Sequence, residues 1–303
     1  MPLARRGIPS HSAPGRGVGH GTTLGMHLEY FLPSPAYRAW ITVHTVLDGL
    51  TQATTALLPA MLPNLHIRLS GRSSYVFADG RRVAAPAITL LGPTNTAYEV
   101  ELEAGTLVAA AGLLPAGWLS LIRSPAREFA DGLIDGADLW GPHPCALALE
   151  QLLACRLDGR HTRIVEELLR LPARPHEHSR FVLAADHWLE HSPDLSVDAL
   201  SETLGVGRRH LQRIMLETYG APPKALAMKY RALRVAAYLA AHEQPVLADA
   251  LTGYADQPHL TRDFRRFVGV TPGAFLRDCA GITAGTFAGR HRAGASRPLV
   301  LWS

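Results

Sequence analysis

The sequence predicts an α+β protein in which a β-rich N-terminal domain, sandwich-like or barrel-like, precedes an all-α C-terminal domain. Between about residues 60 and 115, apolar and polar residues alternate in short runs that end at turn residues, as in half-buried strands. After about residue 145, apolar residues recur every three or four positions, as on one face of a helix. An internal repeat within this helical half indicates that it contains two copies of one unit.

The predicted strands are short and follow one another closely. They cover the segments HIRLS, SSYVFA, AITLL, TAYEVEL and TLVAAAG, which are separated by Gly, Pro and Asp. Asp79-Gly80 follows one of these runs and supplies the turn of a hairpin. This spacing is typical of an antiparallel sandwich or barrel.

The chain is long enough, at 303 residues, for two domains with separate cores. We expect a disordered tail in residues 1–27 and a β-rich domain with trailing helices in residues 28–170. We expect a helical domain in residues 180–280 and a second tail in residues 281–303. The Pro-rich segment RLPARPHEHS marks the boundary between the two domains.

Composition favours a cytoplasmic protein with an anionic partner. The three Cys residues have neither metal-site spacing nor a disulfide framework, which fits a reducing compartment. No apolar run reaches the length of a membrane span. Residues 196–279 carry 11 Lys or Arg against 8 acidic residues, whereas residues 28–195 carry 13 against 18. The basic excess of the helical domain therefore favours a negatively charged partner at that end.

Two classes of enzyme are disfavoured. A metal-dependent β-domain needs His clusters on its strands, yet no His or Cys occurs between Ile67 and Pro142. His187 and His191 share a helix face but lack a third ligand nearby. A serine hydrolase needs a Gly-x-Ser-x-Gly elbow, which is missing from the sequence. We therefore expect no catalytic residue, no metal and no cofactor.

Two sets of residues in the β-rich domain have alternative interpretations. Three glutamates at alternating positions, from Glu99 to Glu103, either face solvent or act as catalytic acids, and the solvent-facing role is the one expected. Trp118, Tyr98 and Phe77 either line a pocket for a small molecule or belong to the core. The sequence leaves this choice open.

The repeat in the helical half has a period of 49 residues. Residues 196–223 align with residues 245–272 with eight identities among 28 positions, including the pattern His-Leu-x-Arg at 210–213 and 259–262. Each unit is predicted to be a helix, a tight turn, a second helix, a Gly stop and a Pro. A long helix from about Pro223 is expected to join the two units.

In each unit the second helix separates apolar from cationic residues. Ser196 is expected to cap the first unit, and Pro258 lies in the first turn of the second helix of the other unit. Two such helices can enter successive major grooves of one DNA duplex, about 34 Å apart, if the joining helix is rigid. The apolar stripes are Leu211, Ile214, Met215 and Tyr219 in the first unit and Leu260, Phe264, Phe267 and Val268 in the second.

The stretch from Arg180 to Phe275 resembles the DNA-binding domain of the AraC/XylS family of bacterial transcription regulators. The resemblance is most specific in GYADQPHLTRDFRRFVGVTPGAFL and extends to LSVDALSETLGVGRRHLQRIMLETYGAPP. The sequence departs from the family at Gly207, where a Ser cap is usual, and at Met215, where Phe is usual. The resemblance implies a double helix-turn-helix domain with units at about 196–217 and 245–267.

The N-terminal half has a softer resemblance to the sensor domain of one branch of the same family. It covers roughly residues 28–170 and includes the segment PNLHIRLSG and the later segment TLVAAAGLLPAGWLSLI. The resemblance implies a domain that senses a small molecule or mediates dimerisation.

The candidate DNA contacts lie off the two apolar stripes. Residues near the start of a recognition helix usually reach base edges, and residues further along contact phosphates. Arg213 and Arg262 occupy the same repeat position, and an ion pair within the domain is the alternative role for both. The candidates are Arg208, Arg209, Gln212 and Arg213 in the first unit and Gln257, His259, Thr261, Arg262, Arg265 and Arg266 in the second.

The predicted function is that of a sequence-specific, AraC-type regulator that is not an enzyme. Its expected partner is double-stranded promoter DNA, together with a small-molecule effector of unknown identity. RNA polymerase is a further expected partner if the protein is an activator, and a second copy of the chain is one if the protein is a homodimer. No membrane partner is expected. The alternative is a ligand-binding or enzymatic β-domain whose helical half serves only for oligomerisation.

Overall fold

A computed structural model of the chain describes residues 21–23, 26–122, 124–169, 179–241, 253–277 and 290. The predicted domain boundary at RLPARPHEHS lies almost entirely outside these residues. The first helix of the second predicted unit, in the region of residues 245–252, and most of both predicted tails also lie outside them.

The N-terminal half is β-rich, as the sequence predicts. Its strands form two antiparallel sheets, a seven-stranded one in the order β1-β2-β3-β10-β5-β8-β11 and a four-stranded one in the order β4-β9-β6-β7. The strands are β1 Gly21–Thr23, β2 Met26–Phe31, β3 Ile41–Asp48, β4 Thr54–Leu58, β5 Asn64–Ser70, β6 Ser73–Val76, β7 Arg82–Ala84, β8 Ile88–Leu91, β9 Tyr98–Leu102, β10 Leu107–Leu113 and β11 Leu133–Asp135.

Alternation along β9 explains how the smaller sheet buries one face. Tyr98, Val100 and Leu102 are buried, while Glu99 is exposed and Glu101 is half-buried. Glu101 forms an ion pair of 2.5 Å with Arg82 on β7 at the surface. The predicted solvent-facing glutamates are therefore where the alternation places them.

In the part of the chain that the structure describes, four α-helices accompany the β-rich half. The last two of them cover the larger sheet, where Cys145, Leu152 and Val165 join one core with Leu65 and Leu90. These helices are α1 Pro115–Leu121, α2 Gly136–Trp140, α3 Pro142–Ala154 and α4 His161–Leu169.

A buried polar cluster holds α4 against β3. Glu166 accepts a 2.8 Å hydrogen bond from the backbone N–H of Ser34 and lies 3.3 Å from Nε2 of His44. His161 lies beside this pair with its side chain fully buried. Burial, reinforced by the nearby His44, lowers the pKa of His161 to about 4, so its ring is neutral at pH 7.

The C-terminal half is helical. Its core contains most of both predicted apolar stripes, including Leu211, Met215, Leu260 and Phe264. The stripe residue Phe267 is also buried, but it packs in a separate cluster with Ala60 of the β-rich half. The helices are α5 Ser179–His191, α6 Val197–Leu204, α7 Arg208–Tyr219, α8 Pro223–Ala241, α9 Gln257–Val268 and α10 Pro272–Arg277.

None of the helices in the described ranges is both long enough and apolar enough to cross a bilayer.

Candidate nucleic-acid interface

The first helix-turn-helix unit consists of α6 and α7. Ser196 begins α6 with its hydroxyl accepting a 3.3 Å hydrogen bond from the N–H of Ala199, as the sequence predicts. Gly205 ends α6, and Gly207 begins α7 without a side-chain cap. The turn is therefore only three residues long, and it sets α7 directly against α6.

One face of α7 carries exposed polar residues. Arg209 and Gln212 are exposed, and neither forms a hydrogen bond or ion pair through its side chain with any residue that the structure describes. Arg208 is also exposed, but it pairs with Asp198 of α6 at 2.7 Å. Arg213 lies 3.3 Å from Glu217 one turn further along, which matches the ion-pair role left open for it.

The second recognition helix of the predicted pair is α9. Asp256 begins it with a carboxylate that accepts a 2.7 Å hydrogen bond from the N–H of His259, and Pro258 occupies its first turn. Leu260, Phe264 and Phe267 are buried beneath it. The amphipathic pattern therefore determines which side of α9 faces away from the core.

The free side of α9 forms a shallow concave surface. Gln257, Thr261, Arg262 and Arg265 line this surface together, at positions one turn apart. Both arginines that line this surface, Arg262 and Arg265, are exposed, and in the described ranges neither has a salt bridge. The arrangement presents amide, hydroxyl and guanidinium donors on one face, a set suited to base edges and phosphates.

Two sequence candidates on α9 have further contacts within the domain. His259 is half-buried, lies 3.6 Å from Asp263 and meets the ring of Tyr254 edge-on at 5.3 Å. Burial raises the pKa of Asp263. Arg266 is exposed, with its guanidinium 5.0 Å from the ring centre of Phe267. The structure therefore brings four of the six α9 candidates onto the concave surface and places His259 partly toward the core.

Two arginines of α8 were not singled out from the sequence and have structural roles. Arg234 donates hydrogen bonds of 2.6 Å to the carbonyls of Leu189 and Ser192, at the end of α5. Arg231 donates to the carbonyl of Asp194 at 3.3 Å. Their guanidinium groups donate hydrogen bonds to carbonyls at the end of α5 and in the loop that follows it. The i, i+3 spacing of these two arginines on α8 is the sequence signal that could have identified them.

The β-rich domain contacts the ends of both α7 and α9. Two of its segments, residues 57–62 and 93–97, make these contacts, and we call them the docking strip. The N–H groups of Ala60 and Ala97 donate hydrogen bonds of 2.7 and 2.9 Å to the carbonyls of Phe267 and Arg266 in the last turn of α9. Asn95 donates through its side-chain amide to the carbonyl of Gly220 at the end of α7, at 3.3 Å.

The Gly stops of the two repeat units lie at these contacts. Gly220 and Gly269 have left-handed φ values of 73° and 94°. A Cβ at Gly220 would lie 2.7 Å from Pro93, and one at Gly269 would lie 2.6 Å from Leu57. The repeated Gly therefore both ends each helix and permits close approach of the docking strip.

Lys229 of α8 links the joining helix to the same strip. It is buried, and its ammonium donates to the carbonyls of Met61 and Thr94 at 3.1 and 2.7 Å. Burial lowers the pKa of Lys229 to about 7, an effect that the nearby Asp131 partly opposes.

The β-rich domain also contains a partly open cavity of about 120 Å³ between its two sheets, which we call the sheet cavity. Most of its wall is apolar. Tyr98 and Met61 line it, and Met61 also belongs to the docking strip. Of the three aromatic residues with an open role, Tyr98 therefore lines the cavity, while Trp118 and Phe77 are buried in the cores.

Metal binding has no support in the described ranges, where no cluster of three His, Cys, Asp or Glu residues could hold an ion. His187 and His191 stack on each other, with ring centres 4.5 Å apart.

Comparisons with solved structures give distant similarities. The chain is similar to the apo form of a single-residue variant of ToxT from Vibrio cholerae strain SCE256, with 13% identity, a TM-score of 0.45 and coverage of 78% of this chain and 96% of that one. It is similar to ToxT from V. cholerae O395, with 11% identity, a TM-score of 0.44 and coverage of 84% and 97%. The AraC-like transcriptional activator CuxR gives 15% identity, a TM-score of 0.31 and coverage of 76% and 86%.

Among curated proteins, the comparison gives no significant match. The model of a protein family described as a helix-turn-helix domain matches residues 200–278, which include α7, α8, α9 and α10. Residues 200–278 therefore form a helix-turn-helix domain.

Proposed function

We propose that the protein is a transcription regulator that binds a specific promoter sequence through α7 and α9. The observation that carries the proposal is the pair of exposed cationic faces on α7 and α9, which lie in the two predicted repeat units on either side of α8. The face of α7 centres on Arg209 and Gln212, and that of α9 on Gln257, Arg262 and Arg265. A major groove admits one α-helix, so each face can serve one groove of the same duplex.

The ten sequence candidates divide by chemistry in this proposal. Arg208, Arg209 and Gln212 of α7, and Gln257, His259 and Thr261 of α9, are proposed to read bases, because Arg and Gln bond bidentately to guanine and adenine. Arg213, Arg262, Arg265 and Arg266 are proposed to contact phosphates, which position the protein without reading sequence.

The β-rich domain is proposed to sense a small molecule, and the support for this role is the sheet cavity. The cavity wall includes Met61 and Tyr98, and residues of the docking strip contact the last turn of α9. A ligand that changes this wall can therefore change how α9 is held. We propose no catalytic role for the chain.

The proposal is tested by selecting bound sequences from random double-stranded DNA with the full-length protein. We expect one enriched motif with two half-sites about 10–10.5 base pairs apart. Binding to that motif should weaken linearly on a logarithmic salt scale, because phosphate contacts release counterions. Enrichment of no motif, together with salt-independent binding, contradicts the proposal and favours a role in oligomerisation for the helical half.

A further inference from the structure

We propose that Asp198 of α6 is a specificity-determining residue, because its carboxylate orients Arg208 for a base contact and reduces the attraction of Arg208 for phosphates. Asp198 acts through Arg208 and is therefore a positioning residue. This inference rests on the regulatory function proposed above and names a determinant of its base preference.

The ion pair between Asp198 and Arg208 supplies the first step. Nη2 of Arg208 lies 2.7 Å from one carboxylate oxygen of Asp198. The side chains of Arg208 and Asp198 are 77% and 59% exposed, so the pair lies at the surface and not in the core. An exposed ion pair changes an equilibrium only about 1.4- to fivefold. We therefore expect this pair to orient Arg208 and to contribute little to the stability of the fold.

The position of the pair supplies the second step. Arg208 is the first residue of α7, and Asp198 lies in the first turn of α6. Gly207 precedes Arg208 and has no side chain that could cover the guanidinium. Residues at the start of a recognition helix usually reach base edges. The ion pair therefore lies where the first unit is expected to read sequence.

The chemistry of the pair favours a base over a phosphate. Asp198 contacts one terminal nitrogen of the guanidinium, and Arg208 has no other ion pair in the described ranges. A guanidinium has five N–H donors, so enough remain for a bidentate contact with guanine. The adjacent carboxylate, however, offsets the charge of Arg208 and repels a phosphate that approaches it. The pair therefore keeps the donors that read a base and weakens the attraction that does not depend on sequence.

The second unit lacks this arrangement. At the positions 49 residues after Asp198 and Arg208, the sequence has Leu247 and Gln257. On α9, Arg262 and Arg265 are exposed and have no salt bridge in the described ranges, so their charges remain available to phosphates. We therefore expect Asp198 to affect only the base pair that Arg208 reads.

Binding of the full-length protein to the selected motif and to a random duplex of equal length tests the inference. For Asp198→Asn we expect the ratio of the two affinities to fall about two- to tenfold, because binding must then fix a long side chain that was oriented in advance. Binding to the random duplex should become more salt-dependent, by up to about one in the logarithmic slope, because the full charge of Arg208 is then available to a phosphate.

Glu202→Gln is the matched control for the loss of one negative charge. Glu202 is exposed on the same helix, and its side chain has no ion pair in the described ranges. This variant should keep the affinity ratio of the parent. An equal fall of the ratio in both variants would mean that the charge of α6 matters and the contact with Arg208 does not, which overturns the inference.

Arg208→Ala separates positioning from a general structural role. On a panel of motifs with single base changes, Asp198→Asn and Arg208→Ala should weaken discrimination at the same base pair. Asp198→Asn should cause no further loss in the Arg208→Ala background, as expected when the two residues act through one interaction. An unchanged ratio in Asp198→Asn, or an equal loss at all positions of the motif, contradicts the role of Asp198.

These outcomes differ from those that reject the regulatory function. If the parent protein enriches no DNA motif, both proposals fail. If it enriches a motif and Asp198→Asn discriminates as well as the parent, only the role of Asp198 fails.

Discussion

Arg209 is, with Gln212, one of the two candidate residues of α7 whose side chains are exposed and make no hydrogen bond or ion pair in the described ranges. It is exposed and has no ion pair in the described ranges, whereas its neighbour Arg208 is held by Asp198. We expect Arg209→Ala to cost about 1–3 kcal/mol at one base pair of the site and little at the others. Binding to a panel of sites with single base changes measures this effect.

Arg265→Ala is the matched comparison on α9. It should weaken binding to all sequences alike and lower the slope of the salt dependence by about one, as expected for a lost phosphate contact. A uniform loss for Arg209→Ala as well would show that base and phosphate contacts have been assigned wrongly.

His161 gives the β-rich domain a pH dependence. Its pKa is about 4 in the folded protein, below its usual 6.5, so between these values the unfolded chain binds more protons than the folded one. The free energy of unfolding should therefore fall as the pH is lowered from about 6.5 to about 4. His66, whose pKa burial also lowers to about 4, contributes in the same direction.

Urea denaturation of His161→Phe across this pH range measures the contribution. The variant should lose less stability on acidification than the parent, and the exposed His143→Phe should behave like the parent. An unchanged pH profile for His161→Phe contradicts a neutral, buried ring at this position.

The two candidate recognition helices, α7 and α9, begin differently, so we expect substitutions at their first residues to have different effects. Asp256 caps α9, whereas α7 begins at Gly207 without a side-chain acceptor. We expect Asp256→Ala to lower the free energy of unfolding by about 1 kcal/mol and Gly207→Ser to raise it by a few tenths. Chemical denaturation measures both, and equal stabilities for the parent and Asp256→Ala would contradict a functioning cap.

Helices and strands that show a regular local spacing of apolar residues could be predicted from the sequence. Strands that are buried from two sides could not. β9 alternates and was found, and α7 and α9 were located by their apolar stripes and Gly stops. The strands β2, β3 and β4 were not predicted. β3 pairs with strands on both sides, and its first four residues are all buried although two of them, Thr42 and His44, are polar, so its burial does not follow its sequence pattern.

The candidate interface was predictable to a similar extent. Periodicity separates Arg209, Gln257 and Arg265 from the core, and the structure places all three on exposed faces. The partial inward turn of His259 depends on its contacts with Asp263 and Tyr254. The spacing of residues in the sequence does not indicate that His259 contacts these two residues and not solvent. Whether these residues contact DNA stays a prediction.

At the scale of the whole molecule, the two halves share buried surface that the sequence did not reveal. Leu62 and Leu114 of the β-rich half belong to the core of the helical half, and Lys229 of α8 is buried by the docking strip. We expect a fragment that lacks residues 1–170 to remain soluble and to bind DNA, with a lower unfolding temperature than the full chain. Circular dichroism and a gel shift with the selected motif test this, and an unfolded fragment contradicts the domain division.

Lys229 couples the contact between the two halves to pH. Its pKa is about 7 in the folded protein against 10.5 ordinarily, so between these values the unfolded chain holds more protons than the folded one. The free energy of unfolding should therefore rise with pH across this window, by up to about 1.4 kcal/mol per pH unit from this single group. Below about pH 7 the lysine is charged in both states, and its pH-dependent contribution levels off.

Lys229→Met isolates this effect, because the difference between parent and variant removes contributions from tyrosines that titrate at high pH. The variant leaves the carbonyl of Thr94 without its donor, so we expect it to be less stable by about 1–3 kcal/mol at pH 9. The difference in the free energy of unfolding between parent and variant should narrow toward pH 7, where the buried charge destabilises the parent. Lys224→Met, at an exposed position of the same helix, should show no such narrowing. A gap that stays constant from pH 7 to pH 9.5 would mean that the ammonium of Lys229 keeps its ordinary pKa and that the docking strip does not exclude water from it.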